Sequence, residues 1–184
     1  MILDSGERRE FTSGAVRDVA EGKGRCDLMP LEVVALLVDG EEIQHINDYV
    51  RKGDTGSLLD AIQCFINHTV KNNYTAMLEI AQHYEEGCKK YGDRNWEKGI
   101  PLHCYIDSGV RHLLKFYRGD KDENHGRAFV WNMMCAIWTH INKPELIDLP
   151  FATEAKVIIP FACTQEEIDS SIEGEHIVNW GDID

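Results

Sequence analysis

Apolar positions recur at helical spacing through most of this chain. Between residues 74 and 91, Met77, Ile80, Ala81, Tyr84, Cys88 and Tyr91 fall on one stripe, and Gly92 follows as a stop signal. The spacing predicts a helix from Tyr74 to Tyr91. Leu102 to Tyr117 is amphipathic through Ile106, Val110, Leu113, Leu114 and Tyr117. Ala128 to Trp138 is apolar at ten of eleven positions, which predicts a helix buried nearly all round. Upstream, Pro30 suits the first turn of a helix from Leu31 to Val38, which Asp39-Gly40 stops. A second short helix is expected over Glu41 to Arg51. Ser57 is the expected cap of a third, with Leu58, Ile62, Phe65, Ile66 and Thr69 at helical spacing. Pro144 and Pro150 end the helical region.

The two ends of the chain lack this period. Residues 5–30 are rich in Gly and charge and read as an ordered loop. Lys156 to Phe161 reads as a short strand. From Thr164 onward there are seven acids and no Lys or Arg, a tail with Ile177 and Trp180 as possible anchors. The expectation is an all-α fold, a compact bundle of four to five helices with an N-terminal Gly-rich loop and an acidic C-terminal tail. The helical domain would cover residues 1–150, with a phosphate-binding type of loop over 12–30, extra helices over 31–70 and core helices over 73–142. An acidic extension would follow over 151–184.

Composition narrows the function classes. At 184 residues, 43% hydrophobic and 28% charged, the chain has the make-up of a globular domain. No apolar run approaches the ~18 residues of a membrane span. The N-terminus lacks the basic start and long apolar middle of a signal peptide. A cytoplasmic protein with no membrane partner is expected. Six cysteines at 26, 64, 88, 104, 135 and 163 form no CxxC pair, so reduced structural thiols are expected. The net charge of −13 opposes a duplex nucleic acid partner, which needs a basic face. A small anionic ligand needs only a few focused cations, and Arg17, Lys23 and Arg25 form a basic cluster in the Gly-rich loop.

Candidate chemistry concentrates between Tyr84 and Asn132. Asn132 is the one polar residue between Ala128 and Trp138, and a buried amide left unpaired costs about 1–3 kcal/mol. It is either a core Asn satisfied by backbone or a group reaching a polar cavity, and His125 lies seven residues earlier on the same face. By the phase of the stripe, Glu85 borders the apolar face while Glu86 sits nearly opposite it. The alternative is that both are solvated surface acids near a helix end. Asp107 borders its helix's apolar face with Arg111 four residues on, the spacing of an ordinary ion pair. Glu85, Asp107, Asp122, His125 and Asn132 are oxygen-rich ligand types of the kind Mg2+ or Mn2+ prefers. There is no HExxH, Walker loop or GxSxG elbow.

The order of these blocks carries a resemblance. Ser13 to Asp18 followed by Gly22 to Pro30, then Glu86 to Pro101, then Asp107 to Leu113 with Gly119-Asp120, His125 and Trp131-Asn132, resemble the phage and bacterial dATP/dGTP diphosphohydrolase N-terminal domain family, a MazG-like group. The blocks span residues 12–138. Three features depart from it: a longer connection over 39–70, a short turn after Gly119 with Gly126 interrupting the next helix, and a tail without counterpart. The paired ExxE and ExxD motifs of MazG-like enzymes are also absent from the helices expected over residues 31–138.

The resemblance implies cleavage of a purine deoxynucleoside triphosphate to monophosphate and pyrophosphate in phage nucleotide metabolism, in the host cytoplasm. It implies divalent metal, Mg2+ or Mn2+, that activates a water. It implies a homo-oligomer, dimer or tetramer. Glu85 or Glu86 and Asp107 would act in catalysis and hold metal, assisted by Asp122 and His125. Arg17, Lys23, Arg25, Lys90 and Arg111 would meet phosphates, with His112 and Asn132 in the same pocket. Tyr91 or Trp96 would stack on the base and Asn95 would read its edge, although Trp96 would serve equally as a loop anchor. The alternatives are a non-catalytic protein of the same fold that sequesters a nucleotide or nucleotide signal, and a partner-binding protein that uses the acidic tail.

Overall fold

Local capping chemistry sets where the helices begin and end. The computed structural model describes residues 6–70 and 72–152; the expected strand at 156–161, the acidic tail and Cys163 lie outside these. Helices α1 (Leu31–Val38), α2 (Glu41–Lys52), α3 (Thr55–Thr69), α4 (Asn73–Tyr91), α5 (Leu102–Arg118) and α6 (His125–Asn142) make an all-α fold with one small hairpin. Asp54, rather than Ser57, caps α3, its Oδ1 accepting the Gly56 N–H at 2.9 Å. Asn72 caps α4 through the Tyr74 N–H at 2.8 Å. Asn124 caps α6 through the Arg127 N–H at 3.1 Å, so α6 starts a turn earlier than its apolar run. Among the described residues, six complete α-helices thus stand where four to five were expected, and helix resumes at residues 150–152.

The core lies between α3, α4, α5 and α6. Tyr105, Ile106 and Leu113 of α5 and Phe129 and Met133 of α6 are fully buried. Phe65 of α3 sits edge-on to Phe116 at 4.9 Å and Phe129 at 5.0 Å, tying three helices together. Gly126 does not interrupt α6. A Cβ there would stand 3.1 Å from the Phe65 ring and 3.4 Å from Phe116, so glycine is what lets α6 approach these rings.

The N-terminal segment is more structured than its lack of period suggests. Strands β1 (Arg8–Glu10) and β2 (Val16–Asp18) pair antiparallel, with Arg8 opposite Asp18 and Arg9 opposite Arg17. Asn95 treats β2 as a further strand would: its amide accepts from Val16 N and donates to Val16 O, both at 3.0 Å. Ser13 donates to the Gly99 carbonyl at 2.5 Å. Farther on, a single 3-10 turn at Cys26–Leu28 rests on α5, where the Cys26 N–H meets Asp107 Oδ1 at 2.7 Å. Residues 8–28 therefore form a strap across the end of α4, the turn at 95–98 and α5.

Candidate functional site

Beneath this strap lies a cavity of about 850 Å³. Its walls come from the strap, the second half of α4, the 95–98 turn, α5 and the middle of α6. Six of its lining residues are Lys or Arg: Arg9, Arg17, Lys23, Arg111, Lys115 and Arg118. The lining carboxylates among the described residues are Asp18 and Glu123. Tyr84, Trp96 and Trp131 form an aromatic wall, with centroids 5.7 Å apart for Tyr84–Trp96 and 6.0 Å for Tyr84–Trp131.

Arg17 forms the centre of the polar floor. Its guanidinium donates to Asn132 Oδ1 at 2.9 Å and to the Cys104 carbonyl at 3.1 Å, and lies over the rings of Tyr105 and Trp131. Asn132 in turn donates to the Ala128 carbonyl at 2.7 Å. The lone polar residue of the apolar helix is thus satisfied by backbone on one side and presents its oxygen to Arg17 on the other.

Asp18 is the hub of the strap. It accepts from Lys90 at 2.8 Å and Tyr91 at 2.9 Å and pairs with Arg8 at 3.1 Å. Burial works against its charge, but the hydrogen bonds from Lys90 and Tyr91 outweigh this and hold its pKa below the usual carboxylate value. Burial lowers the pKa of Lys23, an effect Asp18 partly offsets. His83, on the buried face of α4, is pushed down to about 4 by burial and by Arg127, so it is neutral at pH 7.

At the far end of α5, two histidines meet. His112 Nδ1 lies 3.0 Å from His125 Nδ1 and 3.1 Å from Glu123 Oε1. His125 Nε2 lies 2.7 Å from Asp122 Oδ1, and Asp122 also accepts from Lys115 at 3.0 Å. Burial, reinforced by the neighbouring His125 and Arg111, holds His112 well below the ordinary histidine value. The hydrogen bonds from Lys115 and His125 lower the pKa of Asp122.

The expected metal set does not come together. Glu85 faces solvent and pairs with Lys89 one turn along. The reason is helical phase: the buried residues of α4 are Ala76, Ile80 and His83, while Ala81 and Met77 are exposed. That rotates the inner face by about 80° from the expected stripe at 100° per residue. Glu86 takes the flank, 3.6 Å from Arg127. Asp107 is buried, but Arg111 holds both its oxygens, at 3.0 and 2.8 Å, and the Cys26 N–H takes one of them as well. Only Asp122 and His125 stand side by side.

The expected substrate-binding residues divide. Arg17, Lys23, Arg111, His112 and Asn132 line the cavity, as do Tyr91 and Trp96. Arg25 is exposed and turned to Asp27. Lys90 and the Tyr91 hydroxyl hold Asp18, and Asn95 holds β2, so these three build the strap. Trp96 is wedged between Tyr84 and Trp138, at 5.7 and 5.0 Å. Six contributors are not legible in the sequence: the cations Arg9, Lys115 and Arg118, and with them Asp18, Glu123 and His83. Asp18 becomes visible only with the hairpin, Glu123 only with the fold of its turn, and His83 was hidden by counting histidine as polar. Cys26, Cys64, Cys88, Cys104 and Cys135 are all unpaired thiols.

No described helix is long and apolar enough to cross a membrane. Residues 65–149 match the family model described as dATP/dGTP diphosphohydrolase, N-terminal. No curated protein and no solved structure matches the chain.

Proposed function

We propose, from the match of residues 65–149 to the dATP/dGTP diphosphohydrolase N-terminal family model, that the chain hydrolyses purine deoxynucleoside triphosphates to monophosphate and pyrophosphate. The observation that carries this reading is the cavity beneath the strap, in which six cations share the walls with three aromatic rings. A triphosphate carries about four negative charges, and cations focused in a cleft favour it even on a chain whose net charge is −13. The aromatic wall offers a purine both area and ring edges.

In this reading the oxygen of a water bonds to the α-phosphorus, and the bond from that phosphorus to the oxygen bridging to the β-phosphorus breaks. Pyrophosphate leaves with the bridging oxygen. Arg17 is positioned by Asn132 and Arg111 by Asp107, so both guanidiniums are oriented before a ligand arrives. Preorganised cations stabilise charge on the transferring phosphoryl group without rearranging. A divalent ion is the usual activator of the water in such chemistry. The residues expected to hold Mg2+ or Mn2+ through oxygen alone do not fit it, because Glu85 faces solvent and both Asp107 oxygens are held by Arg111.

That same misfit favours a second reading, in which the chain sequesters a nucleotide without cutting it. One assay separates the two. Incubation with dATP, dGTP and the pyrimidine triphosphates, with Mg2+ or Mn2+, should yield monophosphate and pyrophosphate from the purines. Intact nucleotide that raises the melting temperature would replace the hydrolase with the binder. Lys23 lines the cavity from an exposed loop, so Lys23→Ala should leave the fold intact and weaken nucleotide binding about tenfold, the worth of one charge-assisted hydrogen bond.

A further inference from the structure

We propose that His112, Glu123 and His125 form a binding site for one divalent transition-metal ion, with Asp122 behind it. The donor atoms converge from the second half of α5, the turn after it and the first residue of α6. His112 Nδ1 and His125 Nδ1 are 3.0 Å apart, and Glu123 Oε1 is 3.1 Å from the first and 3.5 Å from the second. Atoms that share an ion at about 2.1 Å stand roughly 3.0 Å apart at right angles and roughly 3.4 Å apart at tetrahedral angles. Two edges of this triangle fall in that range, and the third, at 3.5 Å, lies within about 0.1 Å of its upper end.

Hydrogen bonding alone leaves the triangle short of protons. His125 Nε2 faces the Asp122 carboxylate at 2.7 Å, and a carboxylate accepts, so the neutral ring carries its N–H on Nε2 and leaves Nδ1 as a lone pair. Glu123 Oε1 is a second acceptor. His112 Nδ1 carries at most one proton and can serve only one of the two. A cation among them satisfies all three at once. The Asp122–His125 pair also matches the arrangement in which a carboxylate fixes the tautomer and orientation of a metal-bound imidazole.

Position gives the site its use. The His125 side chain is 1% exposed and Glu123 12%, so the ligands are held rather than free on a surface. His112 and Glu123 also line the cavity. An ion held by three protein atoms keeps positions open on that side, and a phosphate oxygen is the ligand class that would complete it. Two imidazoles and one carboxylate suit Mn2+, Fe2+, Co2+ or Zn2+ better than Mg2+, which favours oxygen and water.

The test uses the full chain, stripped with a chelator, and no nucleotide. Calorimetric titration should show one Co2+ per chain, with visible ligand-field bands, and Mg2+ binding weaker by at least about tenfold. Glu123→Gln should lower Co2+ affinity at least about tenfold, and Asp122→Asn by about 10–100-fold. Asp120→Asn, whose carboxylate is held by Arg118, should change it less than about twofold. A matching melting temperature for metal-free Glu123→Gln and the parent shows that the variant is folded; otherwise Asp122→Asn alone decides. Absence of saturable Co2+ binding, affinity unchanged by these two substitutions, or a loss on Asp120→Asn alone would overturn the site. Cobalt binding without nucleotide turnover would leave the site standing while the hydrolase reading failed, and turnover without cobalt binding the reverse.

Discussion

Asn132 has both ends of its amide engaged inside the core, one with a carbonyl a turn below and the other with the strap's arginine. Replacing it by Ala removes the Oδ1 acceptor and leaves one N–H of a part-buried guanidinium without its partner. The expected cost is about 1–3 kcal/mol, measured by denaturant unfolding. Nucleotide affinity should fall with it, because Arg17 loses its orientation; unchanged affinity would show that Arg17 does not meet the ligand. At this scale the sequence was informative where an oddity stood alone. An amide amid ten apolar residues can be recognised without coordinates. The choice between Glu85 and Glu86 could not be made that way, because it depended on a phase that His83 shifts. Glycine and alanine around it gave no competing signal, and tertiary packing decided which side of α4 turned in.

Helix ends at left-handed stops were legible because such stops are local, whereas the starts of α3 and α6 are set by Asp54 and Asn124. Leu31–Val38 and the ends at Tyr91 and Asp39 agree with the pattern, and Gly53 and Gly119 close helices at positive φ as such stops do. The hairpin was not legible. Each strand is three residues long, too short to display alternation, and part of its pairing comes from Asn95, almost eighty residues away. Two glycines inside helices give a prediction at this scale. At Gly126 a Cβ would press on a Phe65 ring already fixed between two others, whereas at Gly87 nothing lies within 4 Å. Gly87→Ala should stabilise by about 0.5–1 kcal/mol through helix propensity. Gly126→Ala should destabilise by about 1 kcal/mol net, overpacking exceeding the same propensity gain. Chemical denaturation of the two variants checks both signs.

Across the molecule, one titrating pair fastens the start of α5 to the segment after α6. His103 Nδ1 lies 2.5 Å from Asp148 Oδ2, and this hydrogen bond to Asp148, with help from Cys104, raises His103 to about 10. A histidine raised above its unfolded value of about 6.5 stabilises fully below that value, and the contribution fades as pH rises toward 10. Burial opposes the charge on Asp148, but its bonds to His103 lower its pKa, so its share is lost as pH falls below about 4. The pair is partly open to solvent, which limits it to at most about 1 kcal/mol. Asp148→Asn should therefore lower the melting temperature most near pH 6 and least near pH 10. An equal drop at both would show that the pair contributes by packing alone.

The strap has a consequence for how this protein can be divided. Of the six cations around the cavity, Arg111, Lys115 and Arg118 lie within residues 65–149, while Arg9, Arg17 and Lys23 lie before them. A boundary drawn around the family-matched stretch would run through the middle of the site and discard half of its positive charge. The shortest piece that keeps the α4–α6 core is thus shorter than the shortest piece that keeps all six cations, and on the proposed reading fragments that begin at residue 65 would bind nucleotide more weakly than the 184-residue chain.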